Sequence, residues 1–252
     1  MRAGLVTYNL AKDWDIETII KNCTETKFTG VELRTTHAHK VEVNLGPEER
    51  TRVRKRFQDS PVDLVSLGSA FEFHSPDPAV LKRNIEGTKQ YIVLAHDVGA
   101  EGVKVRPNGL PKEVEPKRTL EQVGKSLREC GQFGENYGVK VRMEVHGGGT
   151  SLISNVAQIL AAADHPNVEI TWNSNQTDLE GGTFEENFDK VKAKIGLVHL
   201  RDLYLEEYPW RKLFVRLRDM GFQGYACAEI PESPDPLRVM RYFRAMILAY
   251  SA

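Results

Sequence analysis

Residues 139–149 read Val-Lys-Val-Arg-Met-Glu-Val-His-Gly-Gly-Gly. Val139, Val141, Met143 and Val145 alternate with Lys140, Arg142, Glu144 and His146. A period of two marks a strand with one apolar and one polar face. Three glycines, Gly147 to Gly149, end it, because a strand interior is weakened by glycine. A carboxylate and an imidazole thus share one face at the carboxyl end of a strand, where parallel α/β enzymes gather their chemistry.

Outward from this stretch, the same strand-then-helix unit repeats. Alternating or short apolar runs at 3–8, 30–34, 62–68, 102–106, 167–173, 196–201 and 223–230 supply seven further strands. Helical stripes separate them. Asp13 is placed to cap the first helix, Pro47 opens the second, and Ser151 caps the fifth. The remaining helices are read from Leu81 to Ala95, from Leu120 to a stop at Gly138, over 184–194, over 208–220 and over 236–250. Residues 69–78 and the proline-rich 107–116 read as loops. Eight β-then-α units with no linker or change of composition predict a single closed (β/α)8 barrel, a TIM barrel spanning 1–252. No G-x-G-x-x-G follows the first strand, which argues against a dinucleotide-binding sheet.

Composition narrows the function. Net charge is −1, with 34 Lys and Arg against 35 Asp and Glu. That balance disfavours nucleic acid as a partner, which needs clustered uncompensated positive charge. Three cysteines, Cys23, Cys130 and Cys227, form neither a disulfide framework nor a Cys-x-x-Cys pair. With no signal-like segment or membrane-length apolar run, the expected location is the cytoplasm, with no membrane partner. The oligomeric state is left open, a homo-oligomer included.

Strand parity then points inward. Glu32 and Arg34, Lys104 and Arg106, Arg142, Glu144 and His146, Glu169, Thr171 and Asn173, and His199 and Arg201 all oppose the apolar residues of their strands. The outer face of each barrel strand meets helices and must be apolar, so the polar set is forced into the lumen. Buried charges need partners or a metal. One reading is a network of inward salt bridges, such as Glu32 with Arg34 or Arg142. The sharper reading is a polar pocket for a hydroxyl-rich ligand anchored by an ion. At the strand ends Glu144, Asn173, His199 and Glu229 offer two carboxylates, an imidazole and an amide oxygen, a set suited to a hard or borderline divalent cation.

At these residues the chain resembles the xylose-isomerase-like TIM barrels of the sugar phosphate isomerase/epimerase superfamily. The matching pieces are Gly30-Val-Glu-Leu33, the run from Glu135 through Glu144 to His146, Val198-His-Leu-Arg-Asp202 and Ala228-Glu229-Ile230. The resemblance implies one divalent metal on Glu144, Asn173, His199 and Glu229, with Mn²⁺ expected and Mg²⁺ or Co²⁺ as options. It places His146 beside a small sugar-like substrate. The sequence departs from the family at Asn173-Ser-Asn-Gln176, where the family has Asp, two residues, then His. Asn173 brings no charge, and Gln176 is expected to touch substrate by hydrogen bonding. Arg106, Arg201 and His74 are further substrate-binding candidates; Phe71, Phe73 and Trp14 are placed to stack on a ring.

The implied activity is isomerisation or epimerisation of a sugar or keto compound, with Glu144 and Glu229 moving a proton next to a carbonyl. The alternatives are a dehydratase or lyase on a keto-sugar or keto-inositol, and a non-catalytic sugar-binding relative. A nuclease on the same fold would need more metal ligands and a basic face.

Overall fold

Strand pairing closes the sheet on itself. In the computed structural model, which describes residues 1–251, the strands are β1 (Arg2–Val6), β2 (Gly30–Arg34), β3 (Asp63–Glu72), β4 (Gly102–Arg106), β5 (Lys140–Glu144), β6 (Val168–Trp172), β7 (Ile195–Leu200) and β8 (Tyr225–Ala228). All neighbours are parallel, and β8 returns to β1. The helices are α1 (Ile16–Thr26), α2 (Pro47–Gln58), α3 (Pro78–Val98), α4 (Pro116–Glu135), α5 (Ile153–Ala163), α6 (Phe184–Val191), α7 (Trp210–Asp219) and α8 (Pro236–Ser251). The (β/α)8 barrel expected from the alternation is therefore the fold. No helix is long and apolar enough to cross a membrane among the described residues.

Parity sorts the strand residues into two layers. Val31, Leu33, Val103, Val105, Val141, Met143, Ile170, Trp172, Val198 and Leu200 are buried against the helices in the main core. Trp172 packs among Phe184 and Phe188 and donates its indole N–H to the Tyr208 hydroxyl at 2.9 Å. A separate small cluster, Val6, Val65, Leu197, Tyr225 and Cys227, contains residues of the inward parity that His199 shares. It forms an apolar layer inside the barrel, while Glu144 and His199 stand nearer the carboxyl ends of their strands.

Several boundaries differ from the sequence reading. β3 does not stop at Gly68 but runs on to Glu72. Gly68 is there for space: a Cβ would lie 2.9 Å from a Glu32 carboxylate oxygen. Asp15, not Asp13, caps α1 by accepting from the Thr18 N–H at 2.8 Å. Ser151 lies in the turn before α5, whose own cap is Leu152, without a side-chain hydrogen bond. The segment 208–209 precedes α7 because Pro209 is its N-cap.

The inward charges do not pair as Glu32 with Arg34 or Arg142. Arg142 sits beside Glu169 in register and donates to it at 3.0 Å, with Glu101 at 3.7 Å. Lys104 lies opposite Arg142, which puts Glu144 on its diagonal, within reach of a long side chain. Its ammonium donates to Glu144 Oε2 at 2.6 Å.

Candidate active site

Parallel strands aim their carboxyl ends at one mouth, and that convergence assembles the site. Glu144 ends β5, His199 stands near the end of β7, and Glu229 follows β8 directly. One donor atom from each lies within 4.8 Å of the other two. His199 Nδ1 is 3.7 Å from Glu229 Oε2 and 3.9 Å from Glu144 Oε1, while Nε2 faces Glu32 Oε1 at 3.4 Å. Glu32 is fully buried and offers a carboxylate to whatever proton Nε2 carries. A proton held on that side leaves the Nδ1 lone pair toward Glu144 and Glu229, the arrangement by which an outer carboxylate orients a metal-binding imidazole.

The electrostatics follow from burial and contact. Burial works to raise the Glu144 carboxyl, but the Lys104 ammonium and then His199 outweigh it and hold the group down at about 2. Burial also opposes charge on Glu32, and His199 followed by Lys104 lowers its pKa nonetheless. For His199 burial favours the neutral ring, yet Glu32, Glu229 and Glu144 around it raise its pKa. Around His199, the carboxylates of Glu32, Glu144 and Glu229 converge with the single ammonium of Lys104. The donor set fits a divalent ion: two carboxylates, an imidazole and, on the neighbouring strand end, the Asn173 amide oxygen, which is buried with no hydrogen-bond partner.

Glu144, Asn173 and Glu229 open into a cavity of about 710 Å³. Glu144, His146, Asn173, Gln176, Arg106, Arg201 and Glu229 all line it, so most of the sequence candidates share one chamber. Of the residues expected to bind substrate, His74 alone lies elsewhere. Because β3 extends to Glu72, the chain carries His74 past the mouth, to a separate hollow against α3 and α4, with its Nδ1 3.8 Å from Glu72 Oε2. The proposed ring-stackers are absent from the lining as well. Phe73 is fully buried, Phe71 stacks edge-on against Tyr91, and Trp14 is partly buried against the core.

Sequence reading missed Arg34 and Tyr8, which line the cavity together, the guanidinium carbon 5.0 Å from the ring centroid. Arg34 ends β2 as Arg106 ends β4, so the strand-end rule could have found it. The loop after β6 is held from below. Asp178 Oδ2 accepts from the Asn175 N–H at 2.9 Å and from the Tyr208 hydroxyl at 2.7 Å. Asn175 in turn accepts from Arg201 at 3.0 Å. Burial pushes the Asp178 carboxyl up to about 7.

Comparison with known proteins agrees with this architecture. The structure of an L-ribulose 3-epimerase superposes with a TM-score of 0.84 at 16% identity, covering 99% of this chain and 94% of that one. The apo form of the E. coli 3-keto-D-glucoside 4-epimerase YcjR gives 0.78 at 17% identity, with 99% of each chain covered. The IOLI protein with a bound zinc atom gives 0.78 at 16%, covering 100% of this chain and 96% of that one. No curated protein sequence matches. A family described as the xylose isomerase-like TIM barrel matches residues 20–246, and the chain belongs to that family.

Proposed function

We propose that this protein is a divalent-metal-dependent isomerase or epimerase of a sugar or sugar-like keto compound. The observation that carries this reading is the convergence of Glu144, His199 and Glu229 within 4.8 Å at the mouth of the barrel. The superposed epimerases, and the zinc in one relative, support it. Mn²⁺ suits the carboxylate, imidazole and amide donors, with Mg²⁺ and Co²⁺ as alternatives. When bound, such an ion polarises a carbonyl and stabilises the charge of an enediolate as it develops.

The chain's own residues do the rest. Glu229 is the freer carboxylate and takes the proton from the carbon next to the carbonyl. Glu144 lies beside the same His199 Nδ1, its second oxygen held by Lys104; it takes up a proton from water in the cavity and delivers it to the carbon, while Glu229 releases to water the one it removed. Gln176, His146, Arg106 and Arg201 bind and orient substrate hydroxyls from the wall of the cavity.

One observation favours the lyase reading as runner-up. Lys104 makes the two carboxylates unequal, and a group held at about 2 is a weak proton acceptor. A one-sided site removes a proton readily and then loses a leaving group rather than inverting a centre. One experiment addresses both. The manganese-loaded protein is incubated in D₂O with D-tagatose, L-ribulose and a 3-keto-glucoside, and carbon-bound deuterium and product mass are read. Deuterium with unchanged mass otherwise supports the epimerase, and a product lacking water or its glycosidic group supports the lyase. No deuterium and no product, from any of the three, would sink both.

A further inference from the structure

The lining of the cavity includes one imidazole whose tautomer the surrounding protein dictates. Asn108 stands on the loop after β4, and its Nδ2 donates to Glu72 Oε1 at 2.5 Å. The reverse orientation of the amide would set two acceptor oxygens against each other, so the contact fixes which way the amide points. Its Oδ1 then faces His146 Nδ1 at 2.9 Å. An amide oxygen only accepts, so Nδ1 carries the proton. In the neutral ring Nε2 is left with a bare lone pair, no protein group bonds it among the described residues, and His146 lines the cavity.

Two features hold this chain rigid. Glu72 also accepts from Arg106 Nη2 at 3.2 Å, which anchors the carboxylate from a second side. The loops after β4 and β5 are in backbone contact: a Cβ at Gly147, where φ is +93°, would come within 2.5 Å of Asn108 Cα. Only glycine allows that approach, and the approach sets the distance between Asn108 and His146.

We infer that Glu72 and Asn108 are positioning residues that hold His146 with an unprotonated Nε2 toward the substrate. That nitrogen accepts a hydrogen bond, so the ligand chemistry it selects is a hydroxyl donor, not a bare carbonyl or ether oxygen. The inference rests on the reading of this cavity as the site for a polyhydroxylated compound. It adds to that reading which ring nitrogen meets the substrate and what presents it.

The test is nitrogen NMR of the full-length protein labelled at histidine, titrated to alkaline pH until the ring signals stop moving. His146 is assigned by the signal lost in His146→Gln. The expected pattern is a protonated Nδ1 and an unprotonated Nε2, opposite to the form that free histidine favours. In Glu72→Ala the amide is free to turn its Nδ2 toward the ring, and in Asn108→Leu the acceptor is gone. Both should shift the proton to Nε2. Asn108→Asp combined with Glu72→Gln keeps a donor–acceptor contact between the two side chains and an acceptor facing Nδ1, and should retain the wild-type pattern. A wild-type ring protonated at Nε2 overturns the inference, as does an unchanged pattern in folded Glu72→Ala and Asn108→Leu. The wild-type spectrum decides even if a variant does not fold. A bare Nε2 in a protein that exchanges no sugar proton would fault the proposed activity and leave this inference standing. A ring protonated at Nε2 in an active enzyme would do the reverse.

Discussion

Replacing Lys104 with methionine removes the one ammonium that touches Glu144 while keeping a long, flexible apolar stem. Both side chains of the pair are at most 4% exposed, and the contact is 2.6 Å. Breaking a buried pair by deleting one partner costs about 3–5 kcal/mol, because the other charge is left uncompensated. Against burial, Lys104 first and His199 second lower the Glu144 carboxyl from 4.5 to about 2, a net shift of the same order, about 3 kcal/mol at neutral pH. The sign sets the window. A carboxyl lowered in the folded chain contributes fully above its unfolded value of 4.5, and the contribution drains away as pH falls through about 2. Urea denaturation with EDTA present should therefore show Lys104→Met less stable by about 3 kcal/mol near neutral pH, and the gap should narrow by about pH 3. Saturating Mn²⁺ should return much of the loss, since an ion bound at about 100 times its dissociation constant stabilises by about 2.7 kcal/mol. A loss below about 1 kcal/mol, or one that is the same at both pH values, would refute the argument that Lys104 is the counter-charge of Glu144.

Other perturbations test other parts of the site. Glu144→Gln and Glu229→Gln should each lower turnover at least a hundredfold, Glu229→Gln with little change in melting temperature and Glu144→Gln with a loss of stability as well, because it strands the buried Lys104 ammonium; near-native rates from either would remove that carboxylate from the proton transfer. Dialysis against a chelator should abolish turnover and Mn²⁺ should restore it, whereas activity insensitive to chelation would rule out the three-residue ion site. Asp178 is raised from 3.8 to about 7, so the folded chain holds its proton longer than the unfolded one. Stability should thus fall as pH rises across that window, by up to about 4 kcal/mol, and Asp178→Asn should flatten the profile; parallel urea profiles for the two proteins would contradict this. Gly147→Ala forces a Cβ against the Asn108 backbone at a left-handed position and should cost about 1–3 kcal/mol, visible by calorimetry; an unchanged melting temperature would mean the two loops part easily.

The sequence carried the barrel because period-two alternation survives in β2, β4, β5, β6 and β7, where apolar residues must face helices. Val141 and Met143 against Arg142 and Glu144 is the clearest case. The same parity placed Glu144, His199 and Glu229 in one lumen, but nothing in the spacing of three distant strands gives a distance. Pairings were harder. Arg142 meets Glu169 because the two are neighbours in register, and register depends on the stagger that closure imposes. Lys104 was legible as an inward residue and not as the partner of Glu144, for the same reason. Glu72 and Asn108 were missed because both lie in stretches that read as connectors. Gly68 looked like a strand end, when it is a gap left for the Glu32 carboxylate. His74 was misplaced by the resulting error in where β3 stops.

One layer of the inside of this cylinder is given over to Glu32, Lys104, Glu144 and His199, each almost wholly shielded from water. Most barrels of this shape stack branched aliphatics there. Swapping all four for volume-matched leucines and methionines should yield a sturdier but inert tube, since well-packed apolar groups commonly outperform interior ions in stability. A heat-resistance screen run without an activity readout would therefore be expected to erode this layer first.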